Sequence, residues 1–397
     1  MKNRNRLIYD CLVVFAIIMT AGCSTGTSNS RAPLVIAEQG FFFVGGRYVP
    51  VAKDDYIMAD QMYVHYQIPH EKKHPYPIIM IHGSGQTANN FESTPDGREG
   101  WATNFLRAGF AVYLVDQPGR ARSPYQPEVY GPLANGSRAK AGVEQRFTAP
   151  QQQNLYPQAR LHTQWPGSGT KGDPVFDQFF ASQVSGISDG GVSEKLNQAA
   201  AAALLDKIGP AIVLTHSMSG TSGWLIADSR PKLVKGIVGI EPSSPPFRNL
   251  EEIGPPDWFR YSRNLDKPWG ITRLPIAYNP PVKSPEELNP VLEEKADRPD
   301  LTRCYRQSEP ARKLAKLVGV PILIVSGEAS FHAPWDHCTS KYLTQAGVAN
   351  EHVRLEDHGI HGTGHMMMLE KNSLEIAQLI ARWLERHVDN RVPIPTK

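Results

Sequence analysis

Five short runs of consecutive apolar residues, separated by helix-like segments, recur between residues 77 and 325. They lie at 77–81, 110–115, 211–214, 236–240 and 321–325. A strand that is apolar on both faces must be buried on both faces, which is typical of parallel sheets covered by helices. The pattern therefore predicts an α/β fold with a mostly parallel central sheet and helices on both of its faces.

The segments around these runs predict further elements. Residues 41–49 are predicted to form an N-terminal hairpin around a turn at Gly45 and Gly46. Residues 61–68 alternate apolar and polar side chains, as a half-buried strand does. Helices are predicted around Trp101, from about 194 to 207, and near the C-terminus, where Asn372 and Glu375 have capping-box spacing.

Two long segments interrupt the alternation of strands and helices. Residues 121–193 are rich in proline, glycine and glutamine, and residues 242–310 in proline and tryptophan. Both follow the carboxyl ends of predicted strands, where open α/β sheets bind ligands. We expect them to form a cap over an active site, within one catalytic domain of residues 36–390. Aromatic residues that either line its pocket or pack inside the cap are Trp165, Phe179, Phe180, Trp258, Phe259 and Trp269.

Residues 1–22 have the features of an export signal. A basic N-terminus precedes an apolar run, 12–19, which is too short to span a bilayer. Small residues then lead to Cys23, as in a lipoprotein signal, although such signals usually carry leucine where Thr20 stands. We expect an exported protein, a periplasmic or outer-membrane lipoprotein anchored through Cys23, with 23–35 as a flexible tether. A plain secretory signal is the alternative.

Composition narrows the class of protein and its compartment. With 41% hydrophobic and 20% charged residues, the chain is that of an ordinary globular protein. A net charge of +3 over 397 residues gives no dense basic face, which argues against a nucleic-acid-binding protein. Cys304 and Cys338 form an even pair, which in an oxidising compartment predicts a disulfide, with two buried free thiols as the alternative.

Ser217 is the candidate nucleophile. It lies in the segment Leu-Thr-His-Ser-Met-Ser-Gly at 214–220, directly after an apolar strand and before a helix-like segment. This context is that of a nucleophile elbow, which projects a serine hydroxyl above the edge of a sheet. The turn needs small residues two positions before and after the serine, and here Thr215 and Ser219 replace the usual glycines.

A serine nucleophile needs an adjacent base. His365 is the best candidate, because it precedes the C-terminal helix and follows a Gly-Thr-Gly turn, and His361 is the runner-up. A metal site at these two histidines would need a helix to align them, and Gly362 and Gly364 argue against one.

The base in turn needs a carboxylate that orients it. Glu241 follows the run 236–240, and Glu328, with Asp336 behind it, follows the run 321–325. Both choices keep the chain order serine, acid, histidine. Spacing alone therefore does not show which of these carboxylates orients the histidine.

Four short segments outside the elbow carry a family resemblance. They are His-Gly-Ser-Gly at 82–85, Thr-Pro-Asp-Gly-Arg at 94–98 with Trp101, Asp-Gln-Pro-Gly-Arg at 116–120 with Arg122 and Ser123, and Gly-His-Met-Met-Met at 364–368. Together they resemble a group of exported bacterial serine carboxylesterases in the α/β-hydrolase superfamily, over roughly residues 38–388. In that group the acid is a glutamate after the sixth strand, 24 residues beyond the serine, and Glu241 stands at that distance from Ser217. The resemblance therefore implies an α/β-hydrolase fold and a triad of Ser217, Glu241 and His365.

An oxyanion hole needs backbone N–H groups that face the developing negative charge. One is expected at Met218, directly after the nucleophile, and the resemblance implies Ser84 as the other. The group's best-known pattern has a cysteine pair where this chain has Ser84 and Gly85, so no redox role carries over to that loop. We expect His82 to brace the loop rather than to catalyse. Ion-paired structural roles are expected for Asp96, Arg98, Arg120 and Arg122.

These residues predict ester hydrolysis through an acyl-enzyme intermediate, without a metal or an organic cofactor. The expected partner is a small-molecule ester. A homodimer is expected only because symmetric dimers are the commonest assembly. A lactonase or amidase with the same triad is an alternative, because fold and triad do not choose among these bonds. A non-catalytic surface lipoprotein of the same fold is the second alternative.

Overall fold

A computed structural model describes residues 32–134 and 139–389. The predicted export signal, Cys23 and most of the tether lie outside the described residues. In the described parts of the chain, eight strands form one central sheet: β1 (Ile36–Ala52), β2 (Asp55–Pro69), β3 (Ile78–Ile81), β4 (Val112–Asp116), β5 (Ala211–His216), β6 (Val234–Ile240), β7 (Ile322–Ser326) and β8 (Glu351–Arg354).

The spatial order of the strands is β1-β2-β4-β3-β5-β6-β7-β8. The hairpin β1–β2 is antiparallel and pairs antiparallel with β4, whereas β3 to β8 all run parallel. The carboxyl ends of these parallel strands therefore meet at one edge. The predicted fold class, a mostly parallel sheet in an α/β fold, is confirmed.

Helices cover both faces of the sheet. Those of eight or more described residues are α1 (Trp101–Ala108), α2 (Pro174–Ala181), α3 (Gly190–Ile208), α4 (Gly220–Ser229), α5 (Asp336–Gln345) and α6 (Ser373–His387). Alternate residues of β3 point to opposite faces: Ile78 and Met80 join the apolar cluster of α1 and α6, and Ile79 and Ile81 that of α3 and α4. Among the described residues, no helix is both long and apolar enough to cross a membrane.

The two long segments contain only short elements besides α2 and the start of α3. Two-residue to five-residue strands pair as Leu133–Ala134 with Gly186–Ile187, Leu250–Gly254 with Trp258–Tyr261, Pro290–Leu292 with Tyr305–Gln307, and Tyr278–Asn279 with Lys313–Leu314. The short helical turns of the described residues, inside and outside these two segments, are Asn89–Glu92, Pro127–Tyr130, Lys140–Val143, Glu144–Thr148, Pro150–Gln153, Pro157–Leu161, Ser217–Ser219, Pro285–Leu288 and Leu355–His358. Because the sheets within these segments have only two short strands each, both segments depend on the central domain for packing.

The N-terminal hairpin differs from the predicted one. Gly45 and Gly46 lie inside β1, and the chain turns instead between Ala52 and Asp55. Both glycines have positive φ, and a Cβ on Gly45 would lie 3.6 Å from the Cα of Ala200 in α3. The glycines therefore allow a long strand to bend beneath a helix, a demand that no local pattern reveals.

The predicted capping box of α6 is also absent. Asn372 precedes the helix but makes no side-chain cap. Its amide instead donates to the Thr363 hydroxyl at 2.6 Å. Asn372 thus bonds to a residue of the loop that carries His365 instead of to the backbone of its own helix.

A disulfide joins Cys304 to Cys338, with the Cα atoms 5.1 Å apart. Cys338 lies in α5, and Cys304 lies at the end of the second long segment. The bridge ties that segment to a helix packed against β7 and β8.

Candidate active site

The chain reverses sharply between β5 and α4, and Ser217 lies in that turn. Its φ of 54° is left-handed, a conformation that residues other than glycine rarely adopt and that is concentrated at functional sites. The turn is also crowded, since a Cβ on Gly220 would lie 2.5 Å from the Cα of Pro242. The strand, turn and helix around Ser217 thus have the form of a nucleophile elbow.

Two small residues replace glycines in this elbow. Thr215 and Ser219 are both buried. The Ser219 hydroxyl donates to the carbonyl oxygen of Ile81 at 2.9 Å and accepts the His216 N–H at 3.0 Å. The serine is accommodated because its hydroxyl finds partners, and it fixes the elbow to the end of β3.

Glu241 and His365 form a buried pair at the same edge. The Nδ1 of His365 donates to the Glu241 carboxylate, and the two side chains are 1% and 0% exposed. The carboxylate also accepts the Gly327 N–H at 2.8 Å and the Ser330 hydroxyl at 2.6 Å. Burial and the nearby Asp336 raise the pKa of Glu241, and these two hydrogen bonds oppose that shift. Three donors therefore fix the carboxylate, which in turn orients the imidazole.

His216 links this pair to the elbow. Its ring centroid lies 4.6 Å from that of His365, and its Nε2 donates to the His365 carbonyl oxygen at 3.1 Å. Burial lowers the pKa of His216 to about 3, so its ring is neutral. Within the described residues, no hydrogen bond joins the Ser217 hydroxyl to His365. In free enzymes this bond is often long and forms only when substrate binds.

Aromatic rings enclose the His365 imidazole. Phe147, from the first long segment, stacks on it at 5.3 Å, and Phe331 and His332, which follow β7, lie at 4.6 and 4.8 Å. Burial, followed by the neighbouring His216 and His332, lowers the pKa of His365 well below its usual 6.5. The imidazole is therefore neutral at neutral pH, as a general base must be.

The loop that carries His365 is held by a hydrogen bond within the loop and by contacts to two other segments. Arg98 donates to the carbonyl oxygen of Glu370 at 2.9 Å. The Glu370 carboxylate accepts the Gly364 N–H at 2.8 Å and contacts the His162 ring nitrogen at 2.9 Å. Sequence analysis missed His162 and Glu370, because no local pattern links two residues that are 208 positions apart.

The two runner-up residues pair with each other. Glu328 contacts Nδ1 of His361 at 3.2 Å and accepts the Gly362 N–H at 2.7 Å. The His361 side chain is 65% exposed. This pair therefore lies at the surface, away from the buried Glu241–His365 pair.

The loop after β3 packs against the turn that carries Ser217. A Cβ on Gly83 would lie 3.0 Å from the Cβ of Ser217. Ser84 and Met218, the two expected oxyanion residues, line the same cavity of about 280 Å³. His82 is buried, and its Nδ1 donates to the Gly83 carbonyl oxygen at 3.0 Å. The geometry brings the expected oxyanion residues together, and His82 braces their loop.

The candidate pocket aromatics divide into two groups. Trp165 meets Phe179 edge to face at 5.3 Å, and Phe180 packs against the same apolar cluster. Trp258 and Phe259 line a separate cavity of about 650 Å³ in the second long segment. Trp269 packs against the core on the opposite face of the sheet. Trp165 and Trp269 therefore serve packing, whereas Trp258 and Phe259 face a cavity.

The charged residues of the segments that carry the family resemblance do not all form ion pairs. Arg98 pairs with Asp96 at 2.7 Å, and Arg122 pairs with Asp116 at 2.6 Å. The expectation is wrong for Arg120. Its guanidinium is buried, and within the described residues no carboxylate lies within 4.0 Å of it. It donates instead to carbonyl oxygens of the loop after β3.

Two clusters of described residues bring together side chains of metal-ligating types, within 4.8 Å of one another: Cys304, His337 and Cys338, and Glu241, His332 and His365. In the first cluster the two thiols are joined in the disulfide. In the second, His365 donates to Glu241 and the His332 ring nitrogen pairs with Asp336 at 2.9 Å. These hydrogen bonds fit acid–base chemistry better than a ligand set.

Comparison with known proteins identifies the family of this chain. The model of the alpha/beta hydrolase family matches residues 78–379. A protein named "Probable secreted lipase phiG", of Fungal sp. (strain ATCC 74256), is 46% identical over 347 residues, which are 87% of this chain and 89% of the relative. A solved structure of "a Novel Bacterial Esterase" is 25% identical with a TM-score of 0.58, over 90% of this chain and 98% of that one. The chain therefore belongs to the α/β-hydrolase family.

Proposed function

We propose that this protein hydrolyses carboxylic esters through an acyl-enzyme intermediate on Ser217. In this proposal His365 is the general base and acid, and Glu241 orients it. The observation that carries the proposal is a serine in a left-handed turn at the carboxyl end of β5, beside a buried Glu–His pair at the same sheet edge. The names of the relatives, a lipase and an esterase, support an ester as the substrate.

Acylation starts with attack of the Ser217 oxygen on the ester carbonyl carbon. His365 accepts the hydroxyl proton as the new C–O bond forms. The carbonyl oxygen becomes negative, and the backbone N–H groups of Ser84 and Met218 stabilise it. His365 then returns the proton to the leaving alcohol oxygen, the old C–O bond breaks, and the acyl group remains on Ser217.

Deacylation repeats these steps with water as the nucleophile. His365 accepts a proton from water, the hydroxide oxygen bonds to the acyl carbon, and the proton passes to the Ser217 oxygen as the acid is released. Throughout, Glu241 holds the imidazole in one tautomer and stabilises its positive charge. The neutral state of buried His365 favours the first proton transfer of each half-reaction.

The first experiment is covalent labelling of the full chain with a serine-directed fluorophosphonate, followed by intact mass and turnover of 4-nitrophenyl esters. We expect a single label on the wild type, no label on Ser217→Ala, and loss of ester turnover with it. Ser229→Ala is the matched control, because that serine ends α4 and donates to the Ile226 carbonyl oxygen. Ser217→Ala with wild-type turnover would refute the mechanism.

Export is supported by the secreted relative, and we propose further that Cys23 is the site of lipid attachment after removal of residues 1–22. The protein would then reside in the periplasm or at the outer membrane. Intact mass of the mature chain tests this proposal. A lipid-sized mass increment that Cys23→Ser removes is the expected result, and an unmodified mature chain would exclude the anchor.

A further inference from the structure

We propose that the cavity beside Ser84 and Met218 is a subsite for a carboxylate group of the substrate, with Arg120 as the residue that binds it. The inference rests on the proposed function and narrows its substrate class. The preferred ester would carry a free carboxylate a few bonds from the scissile carbonyl, rather than a long uncharged chain.

The guanidinium of Arg120 is buried and only partly satisfied. The side chain is 5% exposed. Its Nη1 donates to the Gly83 carbonyl oxygen at 3.0 Å and, at 3.5 Å, to that of Gln86. Among the described residues, Nε and Nη2 have no hydrogen-bond partner. A buried charge is costly unless it is paired, and Asp116, which is close enough to raise the pKa of Arg120, makes no ion pair with it. A guanidinium with free donors at the wall of a cavity is therefore suited to bind an anion.

The guanidinium lies at the wall of the cavity. Arg120 lines the same space of about 280 Å³ as Ser84 and Met218. The guanidinium packs directly against Gly186, where a Cβ would lie 1.9 Å from Nη2 of Arg120. Only glycine leaves room for the guanidinium at that point. An anion bound there would lie in the same cavity as the two expected oxyanion residues, Ser84 and Met218.

The other charged side chains of the cavity already have partners. Arg273 pairs with Glu194 at 2.7 Å and with Asp266 at 2.8 Å. The second Glu194 oxygen accepts the Arg273 N–H at 3.0 Å. Arg120 is thus the one charged group among the described lining residues without an ion-pair partner.

The remaining lining suits a small polar occupant. The N-terminal turn of α3 borders the cavity at Gly190, where the Asp189 carboxylate already caps the helix. The neutral polar side chains of the lining are Ser84, Gln117, Ser188, Ser193, Asn197, Thr221 and Ser222. A volume of about 280 Å³ is at the small end for ligand sites, which fits a short acid better than a fatty chain.

The charge state of Arg120 supports binding of an anion. Burial lowers the pKa of Arg120 to about 10, which still leaves it positive at neutral pH. A guanidinium binds a carboxylate through two parallel hydrogen bonds. The Nε and Nη2 atoms have no hydrogen-bond partner among the described residues, and Gly186 packs against Nη2.

Matched ester pairs test the subsite. One pair places the charge in the acyl part: 4-nitrophenyl hydrogen adipate against its methyl-capped form. The other places it in the alcohol part: 4-acetoxybenzoate against its methyl ester. We expect the wild type to prefer the charged member of at least one pair by about tenfold or more in kcat/KM, the effect of one charged hydrogen bond.

The variants are judged by this ratio and not by the rate alone, because Arg120 also supports the loop of Ser84. Arg120→Met should bring the ratio to about one, and Arg120→Lys should keep part of it, since the charge stays but the paired donors are lost. Arg122→Met is the matched control: it removes the same charge two positions away, outside the cavity lining, and should keep the wild-type ratio.

Two outcomes overturn the subsite while leaving the proposed function intact. One is Ser217-dependent hydrolysis with no preference for the charged ester in either pair. The other is a preference that Arg120→Met leaves unchanged. If the wild type hydrolyses no ester, the proposed function fails, and calorimetric titration with adipate then decides the subsite alone. Binding that Arg120→Met abolishes supports it, and absence of binding to the wild type refutes it.

Discussion

Two glutamate–histidine pairs lie at the carboxyl edge of the sheet, and they differ in burial more than in chemistry. Glu241–His365 is 0% and 1% exposed, whereas Glu328–His361 is 20% and 65% exposed. Both pairs join a glutamate that follows a parallel strand to a histidine of the same late loop. The sequence offered both glutamates and both histidines as candidates.

The difference in burial decides what each pair can do. Around His365, aromatic rings exclude water, and three donors fix the Glu241 carboxylate. In such a site electrostatic interactions are strong and geometry is fixed. The exposed pair is screened by solvent, and pairs of that kind contribute about 0–1 kcal/mol. The comparison teaches that an acid–histidine contact alone does not mark a catalytic pair.

The largest expected difference is in kcat between substitutions of the two histidines. We expect His365→Ala to lower kcat for an activated ester by about 10⁴-fold or more, because the serine loses its base. His361→Ala should stay within about twofold of the wild type, since its ring faces solvent. Steady-state kinetics and the rate of fluorophosphonate labelling provide the measurement. Equal losses in the two variants would remove the distinction between the pairs.

Substitutions of the two glutamates should differ in kcat by a smaller factor. Glu241→Gln should lower kcat by about 10³–10⁴-fold, because the amide no longer stabilises the charged imidazole and can hold the wrong tautomer. Glu328→Gln should leave kcat near the wild-type value and change the free energy of unfolding by about 1 kcal/mol or less. Denaturant titration of both variants shows whether a loss of activity merely follows a loss of folded protein. A strongly impaired but stable Glu328→Gln would favour the surface pair instead.

The smallest effect concerns pH. Because the pKa of His365 lies well below 6.5, kcat/KM should stay level from neutral pH down past 6.5 and fall only in more acidic solution, as the imidazole becomes protonated. His332→Gln removes one of the groups that lower this pKa, so the acidic limb should move to higher pH. The matched variant His361→Gln should leave the profile in place. An acidic limb at or above 6.5 in the wild type contradicts the buried environment.

Much of the fold could be predicted from local patterns. All five apolar runs became strands of the sheet, and the predicted helices, including the one after Ser217, correspond to α1, α3, α4 and α6. The errors arose where a distant residue replaced a local partner. Gly45 bends β1 beneath α3 instead of forming a turn, and Asn372 bonds to Thr363 instead of capping α6.

The candidate site was predictable to a similar degree. Ser217 and the late histidines are visible because their neighbours follow a strand–turn–helix or glycine-rich pattern. The groups that control His365 are not visible, because Phe147, His216, Ser330 and His332 come from three separate parts of the chain. The unpaired state of Arg120 was likewise hidden, since the sequence places Asp116 four positions away and the structure gives that carboxylate to Arg122.

The sequence by itself determined the order of strands and helices, the elbow and the set of acids and histidines, because these depend on periodicity and on neighbours in the chain. Only the tertiary structure decided which glutamate meets which histidine, and which arginine is left without an anion. These outcomes depend on burial and on contacts between residues tens to hundreds of positions apart. Burial sets the strength of a charge interaction, and no local pattern of residues encodes it.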